Sequence, residues 1–503
     1  MKKASFLTFY TESGSEYLYD SNNGAVFPIN NLIKKAIELY KYKNIEVVQE
    51  ELSKEFPDDS VNGTLSFIDR WNRNFNGLYM TEEESNNSQK NLFLEKDIQN
   101  LICSGMLYQL IINLTEDCSL RCKYCYLSET YKYTRNRTKN KMSFEIGAKA
   151  IDYLFNILGP VSRKIPSKRA AITFYGGEPL LSFPTMKKLV NYINEKSPVP
   201  IYYNITTNGL HLTDEISDFL VANEFNILVS LDGDKNEHDR NRVLPDDRGS
   251  FHIVYKNLRR FQERFPNYSK ILLAGVYDYK TDIITNVKFY EKNKLPLIAV
   301  LSAVLNINTK YYETITDEDK INFHRQRKIL ENDYFNIKKK GGLPSNYLRA
   351  FVETNLIPII LRQRIHDLPK AFVPYTGTCI PGMKFSVRTD GTFDICERVN
   401  STIPIGNVET GFNYRAINNI IKNYNDKITM NCHKCLIRKI CPLCFAQCNK
   451  ESDFQLPKGW CTMYKEHIMK CFSDVYSVIE VREDAFKELE EVTRSSINNL
   501  LFN

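Results

Sequence analysis

The stretch Cys118-Ser-Leu-Arg-Cys122-Lys-Tyr-Cys125 sets three cysteines at C-x3-C-x2-C spacing, directly after a strand-like run from Tyr108 to Thr115. Structural zinc sites take four ligands, usually as paired C-x2-C units. Here three thiols stand together, and the nearest histidine in sequence is His211. Soft thiolates suit iron–sulfur chemistry, and a cubic [4Fe–4S] cluster held by only three of them keeps one iron for another ligand. The spacing predicts an open-site cluster.

At 503 residues the chain exceeds one ordinary core and divides into several domains. An apolar fraction of 43% and a charged fraction of 25% are those of a soluble globular protein. No run reaches the roughly 18 apolar residues of a membrane span. The opening Met1–Tyr10 has two lysines but too short an apolar stretch for a secretory signal. The thirteen cysteines therefore read as metal ligands in a reducing cytoplasm, not as disulfides. A net charge of +7 suits an acidic peptide as well as nucleic acid and decides nothing alone. We expect a cytoplasmic chain with neither a nucleic-acid nor a membrane partner.

The first hundred residues predict a module of their own. Ser5–Tyr10 and Glu16–Asp20 alternate about a Glu12-Ser13-Gly14 turn as a hairpin. Helical spacing follows at Asn30–Tyr40, Val47–Phe56 and Leu65–Arg73, and Gly77–Tyr79 suggests an edge strand. The pattern is winged-helix-like, and a polar linker, Thr81–Lys90, follows it.

From Tyr108 strands and helices alternate. The strands are Tyr108–Thr115, Arg169–Tyr175, Ile201–Thr207, Asn226–Leu231, Ile271–Tyr277 and Leu297–Leu305. The helices between them are Phe144–Leu158, Thr185–Glu195, Asp214–Asn223, Phe251–Arg264 and Ile283–Lys292. Six βα units predict a parallel sheet forming most of a barrel, with its site beyond the carboxyl ends of the strands. Gly176-Gly177-Glu178-Pro179, Thr206-Thr207-Asn208-Gly209 and Ser230-Leu231-Asp232-Gly233 fall at those ends. Glycine admits a close approach to the backbone, and a carboxylate can hold an ammonium.

With these motifs in this order, residues 108–305 resemble the core of a radical S-adenosylmethionine (SAM) enzyme, a partial (β/α)6 TIM-like barrel. The resemblance implies that Cys118, Cys122 and Cys125 hold the SAM-binding cluster and that Tyr124 sets its backbone against the adenine. It implies that Gly176, Gly177, Glu178 and Pro179 bind the methionine amino group. Asn208 and Ser230 would reach the ribose or carboxylate side, and Asp232 closes the third strand-end segment. Arg242 is a candidate for the SAM carboxylate, or equally a structural partner of Asp239 or Asp232. The reaction so implied is electron transfer into the sulfonium and hydrogen abstraction by a 5′-deoxyadenosyl radical.

Eight further cysteines crowd 379–461: Cys379, Cys396 in a G-x4-C element, Cys432, Cys435, Cys441, Cys444, Cys448 and Cys461. They resemble the SPASM extension, which holds two auxiliary [4Fe–4S] clusters, making three in all. By that family's interleaving, one cluster takes Cys432, Cys435, Cys441 and Cys461. The other takes Cys379, Cys396, Cys444 and Cys448. The family's run is C-x2-C-x5-C-x3-C; here Cys444 intrudes after x2, which leaves open whether Cys444 and Cys448 both ligate. A zinc ribbon is the bland alternative. Cys103 and Cys471 read as buried thiols, and His433 and His467 as surface residues.

The N-terminal module resembles the element that captures leader peptides of ribosomally made natural products, by strand addition near Glu16–Asp20 beside the helix Asn31–Tyr40. The expected domains are 1–100 for leader recognition, 101–310 for the radical SAM core, 311–372 as a helical linker, 373–475 for SPASM and 476–503 as a terminal helix. The whole resembles a radical SAM/SPASM peptide maturase of the thioether-forming (sactipeptide or ranthipeptide) type. Its implied partners are a precursor peptide, leader and core, and a flavodoxin- or ferredoxin-type reductant. Anaerobic sulfatase maturation to formylglycine and carbon–carbon crosslinking are the alternatives.

Overall fold

In the N-terminal block, short strands, of which Phe6–Tyr10 alternates between half-buried and buried positions, precede three amphipathic helices. This computed structural model describes residues 3–75, 78–80, 95–362, 373, 375–399 and 401–493. β1 (Lys3–Ala4), β2 (Phe6–Tyr10), β3 (Glu16–Asp20) and β4 (Val26–Ile29) come first. α1 (Asn31–Tyr40), α2 (Ile45–Leu52), α3 (Asp58–Phe75) and β5 (Tyr79–Met80) complete the block. Asn30 caps α1 by accepting from the Ile33 amide at 2.9 Å. Leu32, Ala36 and Ile37 then fall on one face and join Leu18, Val48, Leu52 and Ile68 in a core separate from that of the barrel.

β2, β3 and β4 form an antiparallel meander with β3 in the middle. The expectation that Glu16–Asp20 forms an exposed edge is therefore corrected: that strand is central, and the outer strands are β2 and β4. β4 is short and carries Pro28, which lacks a ladder N–H and is tolerated at sheet edges; for the same reason it does not stand out in the sequence. β5 pairs with β1 instead of extending the meander.

In the centre, β6 (Gln109–Thr115), β7 (Ala170–Gly176), β8 (Ile201–Thr207), β9 (Asn226–Ser230), β10 (Ile271–Tyr277) and β11 (Ile298–Ala303) lie side by side in sequence order, all parallel. The helices Phe144–Lys164, Phe183–Lys196, Asp214–Ala222, Phe251–Arg264 and Ile283–Lys292 connect them. This is the expected α/β arrangement, a partial (β/α)6 barrel. The first helix runs past Gly159-Pro160, where the sequence suggests a stop, because Val161 continues its buried face.

The cysteine-rich region is joined to this sheet. β12 (Lys384–Val387) pairs in parallel with β6, and β13 (Thr392–Asp394), β14 (Gly406–Asn407) and β15 (Gly411–Phe412) follow antiparallel. Buried Asn113 on β6 donates to the Ser386 hydroxyl at 2.7 Å and the Val387 carbonyl at 2.8 Å, pinning the seam. Helices Asp317–Lys339 and Asn346–Ile360 pack with a long helix, Trp460–Ile479. That helix also covers β2, with Phe472 5.1 Å from Phe9 and 4.8 Å from Tyr19 between ring centres. The linker Thr81–Lys90, the end of the 311–372 segment and the last ten residues of the tail lie outside the described residues. Among the described residues no helix is long and apolar enough to cross a membrane.

Candidate active site

β6 delivers the cysteine loop to the carboxyl end of the barrel, and the end of β7 is pressed against that loop. Gly177 donates its amide to the Thr115 carbonyl at 2.7 Å, and Glu178 donates to the Asp117 carbonyl at 2.8 Å. A Cβ on Gly177 would stand 2.1 Å from the Asp117 oxygen, and one on Gly176 2.3 Å from the Thr115 oxygen. Gly176 also has φ +133°, a region that favours glycine. The close approach that these glycines allow is thus, in the first place, that of the cysteine loop itself.

Cys118, Cys122 and Cys125 line one cavity of about 770 Å3 together with Tyr124, Gly176, Gly177, Glu178, Asn208, Ser230 and Arg242. The Asn208 amide nitrogen lies 3.7 Å from the Cys118 sulfur, and an Arg242 guanidinium nitrogen 4.0 Å from that of Cys122. Burial pushes the Cys118 and Cys122 thiols up to about 12. Taking up iron would release those protons, since only thiolates ligate. Three half-buried cysteines lining a common space, with amide and guanidinium donors beside them, fit an iron–sulfur cluster with one iron left open. Among the described residues no His, Cys, Asp and Glu side chains converge tightly enough for a single metal ion; a cubane holds its thiolates apart by its own width.

Glu178 is fully buried. It accepts from the Leu180 amide at 3.1 Å, the Thr207 hydroxyl at 2.8 Å and the Asn208 amide at 2.7 Å. Burial nevertheless pushes its carboxyl up to about 7. Two of its bonds go to one oxygen, so the other keeps a lone pair for a ligand. Pro179 opens a short turn of helix behind it. Arg242 pairs with Asp232 at 3.1 Å and lies over the Tyr124 ring at 5.6 Å, while the Tyr124 hydroxyl donates to the same carboxylate. Asp232 also accepts from the Val276 amide at 3.1 Å, so it anchors this wall from behind. Asp239 is occupied elsewhere, accepting from the Phe251 amide at 2.8 Å.

The cysteine-rich region lines the same cavity through Lys384, Glu397, Arg398 and Cys444. Tyr126, Tyr175, Lys384 and Glu397, which belong to none of the motifs, also line it. Tyr126 and Glu397 each follow a cysteine directly, which is a usable signal; Lys384 offers none. Glu397 Oε2 lies 3.9 Å from the Lys384 ammonium and, among the described residues, accepts no hydrogen bond. Burial pushes the Cys379 and Cys396 thiols up, with Cys444 adding to the first and Glu397 and then Cys379 to the second, against the nearby Lys384 ammonium. Cys432 in turn feels Cys435, Cys441 and Cys461. Burial first, then the neighbouring Cys444, Cys441, Cys432 and Cys461, push the Cys448 thiol up, so its neighbours come from both expected sets. Cys471 is buried, whereas Cys103 is exposed, against expectation. His433, expected at the surface, is buried with Nδ1 2.9 Å from the Met430 carbonyl.

Residues 112–284, which carry the barrel and its cysteine loop, match the radical SAM superfamily. The chain therefore carries a radical SAM domain and is an enzyme of that class. It is similar to the cysteine-type anaerobic sulfatase-maturating enzyme of Clostridium novyi, 23% identical over 73% of this chain and 96% of that protein. It is also similar to the radical SAM cyclopropyl synthase TigE of Paramaledivibacter caminithermalis, 22% identical over 91% of this chain and 92% of that one. Among solved structures, native anSMEcpe with bound AdoMet and Cp18Cys peptide shares the fold at a TM-score of 0.55 and 21% identity, over 75% of this chain and 99% of that one. The chain is thus a radical SAM enzyme related to peptide-modifying and sulfatase-maturating enzymes.

Proposed function

We propose that the protein matures a ribosomally made precursor peptide, holding the leader at its N-terminal block and closing an intramolecular crosslink in the core peptide at the barrel cavity. The observation that supports this most is the shared cavity, which is lined by Cys118, Cys122 and Cys125 and also by Cys444. Cleaving SAM alone needs no second cysteine group in the wall. Cys118, Cys122 and Cys125 would hold the SAM cluster, and Tyr124, Gly176–Pro179, Asn208, Ser230 and Arg242 the SAM itself. The eight later cysteines would hold two auxiliary clusters. Bound and reduced, cluster and SAM supply a 5′-deoxyadenosyl radical. The chain's own part is positional: the Arg242–Asp232–Tyr124 wall fixes one side of the cavity, and the Asn113 seam fixes the cysteine-rich region opposite.

The crosslink we favour is a thioether from a cysteine sulfur to a carbon of another residue. Carbon–carbon closure is the second reading, supported by the relative that spans nearly this whole chain and is named for cyclopropyl synthesis. Sulfatase maturation is less supported, since the cysteine-type relatives named for it leave about a quarter of this chain without a counterpart. That activity also gives a leader-binding block nothing to do. A flavodoxin- or ferredoxin-type carrier would supply electrons.

The test is to incubate anaerobically reconstituted protein, SAM and reductant with a cysteine-containing precursor peptide encoded beside it. The product should lose two hydrogens by mass spectrometry and one iodoacetamide-reactive thiol. Loss of hydrogens with every thiol still reactive selects carbon–carbon closure. An unchanged peptide, with a sulfatase-derived peptide converted to formylglycine instead, overturns the proposal.

A further inference from the structure

Arg438 stands where the N-terminal block meets the cysteine-rich region. It lies three residues after Cys435 and is only 5% exposed. One of its terminal nitrogens donates to the Cys435 carbonyl at 3.0 Å and to the Ser21 hydroxyl at 2.9 Å. The other donates to Asn22 Oδ1 at 2.7 Å. Lys439 reaches the Asn22 carbonyl at 2.7 Å, and Ser5 donates its hydroxyl to Asn22 Oδ1 at 2.7 Å, so the turn that receives the guanidinium is itself held. A buried cation is costly unless hydrogen-bonded. Here Ser21 and Asn22, directly after β3, help to offset that cost, with Tyr19 and Asp20 of the same block also near the cation. A fixed positive charge beside a thiolate favours the more negative, reduced state of a cluster bound there, because the local dielectric is low and screening weak.

We propose that Arg438 is a positioning residue that raises the reduction potential of the auxiliary cluster on Cys432, Cys435, Cys441 and Cys461, and that the Ser21–Asn22 turn holds it in place. This rests on the auxiliary-cluster reading above. Its consequence is that the block assigned to peptide recognition also bears on the electronics of a cluster.

The test is a redox titration of reconstituted full-length protein followed by electron paramagnetic resonance, with iron counted in every sample. Arg438→Gln should shift one auxiliary signal alone by about tenfold in its reduced-to-oxidised ratio, toward lower potential, about 59 mV for a one-electron couple. Arg438→Lys should stay near the unsubstituted value. Asn22→Ala, which keeps the arginine but cuts its anchor, should shift the same signal in the same direction by less. If Arg438→Gln fails to assemble its clusters, the Asn22→Ala and Arg438→Lys pair decides. Equal potentials in all variants at full iron content overturn the proposal. An unsubstituted protein with only about four irons overturns the auxiliary-cluster reading along with it.

Discussion

Glu178 shows how much of this site is decided by single residues. Burial raises its carboxyl to about 7 although three hydrogen bonds favour the ionised form. Between the ordinary carboxylate range and 7, the folded chain keeps a proton that the unfolded chain has lost. Its contribution to stability therefore falls as pH rises through that window. An ammonium placed at Glu178 acts the other way and favours the carboxylate. SAM affinity should consequently climb with pH by up to about tenfold per unit below 7 and level off above it. Calorimetry in buffers of different ionisation enthalpy reads the released proton, and Glu178→Gln should abolish the slope. A flat profile in the unsubstituted protein would contradict the assignment. Motif and spacing in the sequence point to Glu178, but not to its link with Thr207 and Asn208, which the barrel makes by setting β7 beside β8. Arg242 was open between a ligand and an ion pair; the structure joins it to Asp232 while leaving it on the cavity wall.

Among the elements, the parallel strands were the most legible, because each is an apolar run bounded by turns and followed by an amphipathic helix. β8, β10 and the helices Phe251–Arg264 and Ile283–Lys292 lie where their patterns put them. β4 was missed because four residues containing a proline carry almost no periodic signal. Its edge is where the proposed leader would add, since β2 is covered by the Trp460–Ile479 helix and β3 is central. Among the described residues no strand pairs with that outer edge. Beside it, Phe27 meets Phe67 at 5.5 Å and Trp71 at 5.3 Å. Trp71 is already committed through its indole N–H to Asp20 at 2.7 Å. Phe67→Ala should therefore weaken binding of a leader peptide by at least about tenfold, as loss of an aromatic anchor does. Fluorescence anisotropy with a labelled leader measures this, and an unchanged affinity would place the leader elsewhere.

Over the whole molecule, the order of the parts was readable from where the cysteines stand, but their joining was not. β12 extends the barrel sheet at β6, so the cysteine-rich region shares a sheet with the SAM domain, a pairing across 273 residues between Asn113 and Ser386 that no local pattern encodes. The contact of Arg438 with Ser21 and Asn22 is as remote in sequence. The β6–β12 join brings Cys444 into the wall of the cavity that Cys118, Cys122 and Cys125 line. The central claim, that the cavity performs radical SAM chemistry through Cys118, Cys122 and Cys125, is tested most directly by measuring 5′-deoxyadenosine from anaerobically reconstituted, reduced protein given SAM. The unsubstituted chain should release it while carrying about twelve irons in three cubanes. The variant with all three cysteines changed to alanine should release none and keep about eight irons. Continued 5′-deoxyadenosine release by that variant would contradict the account.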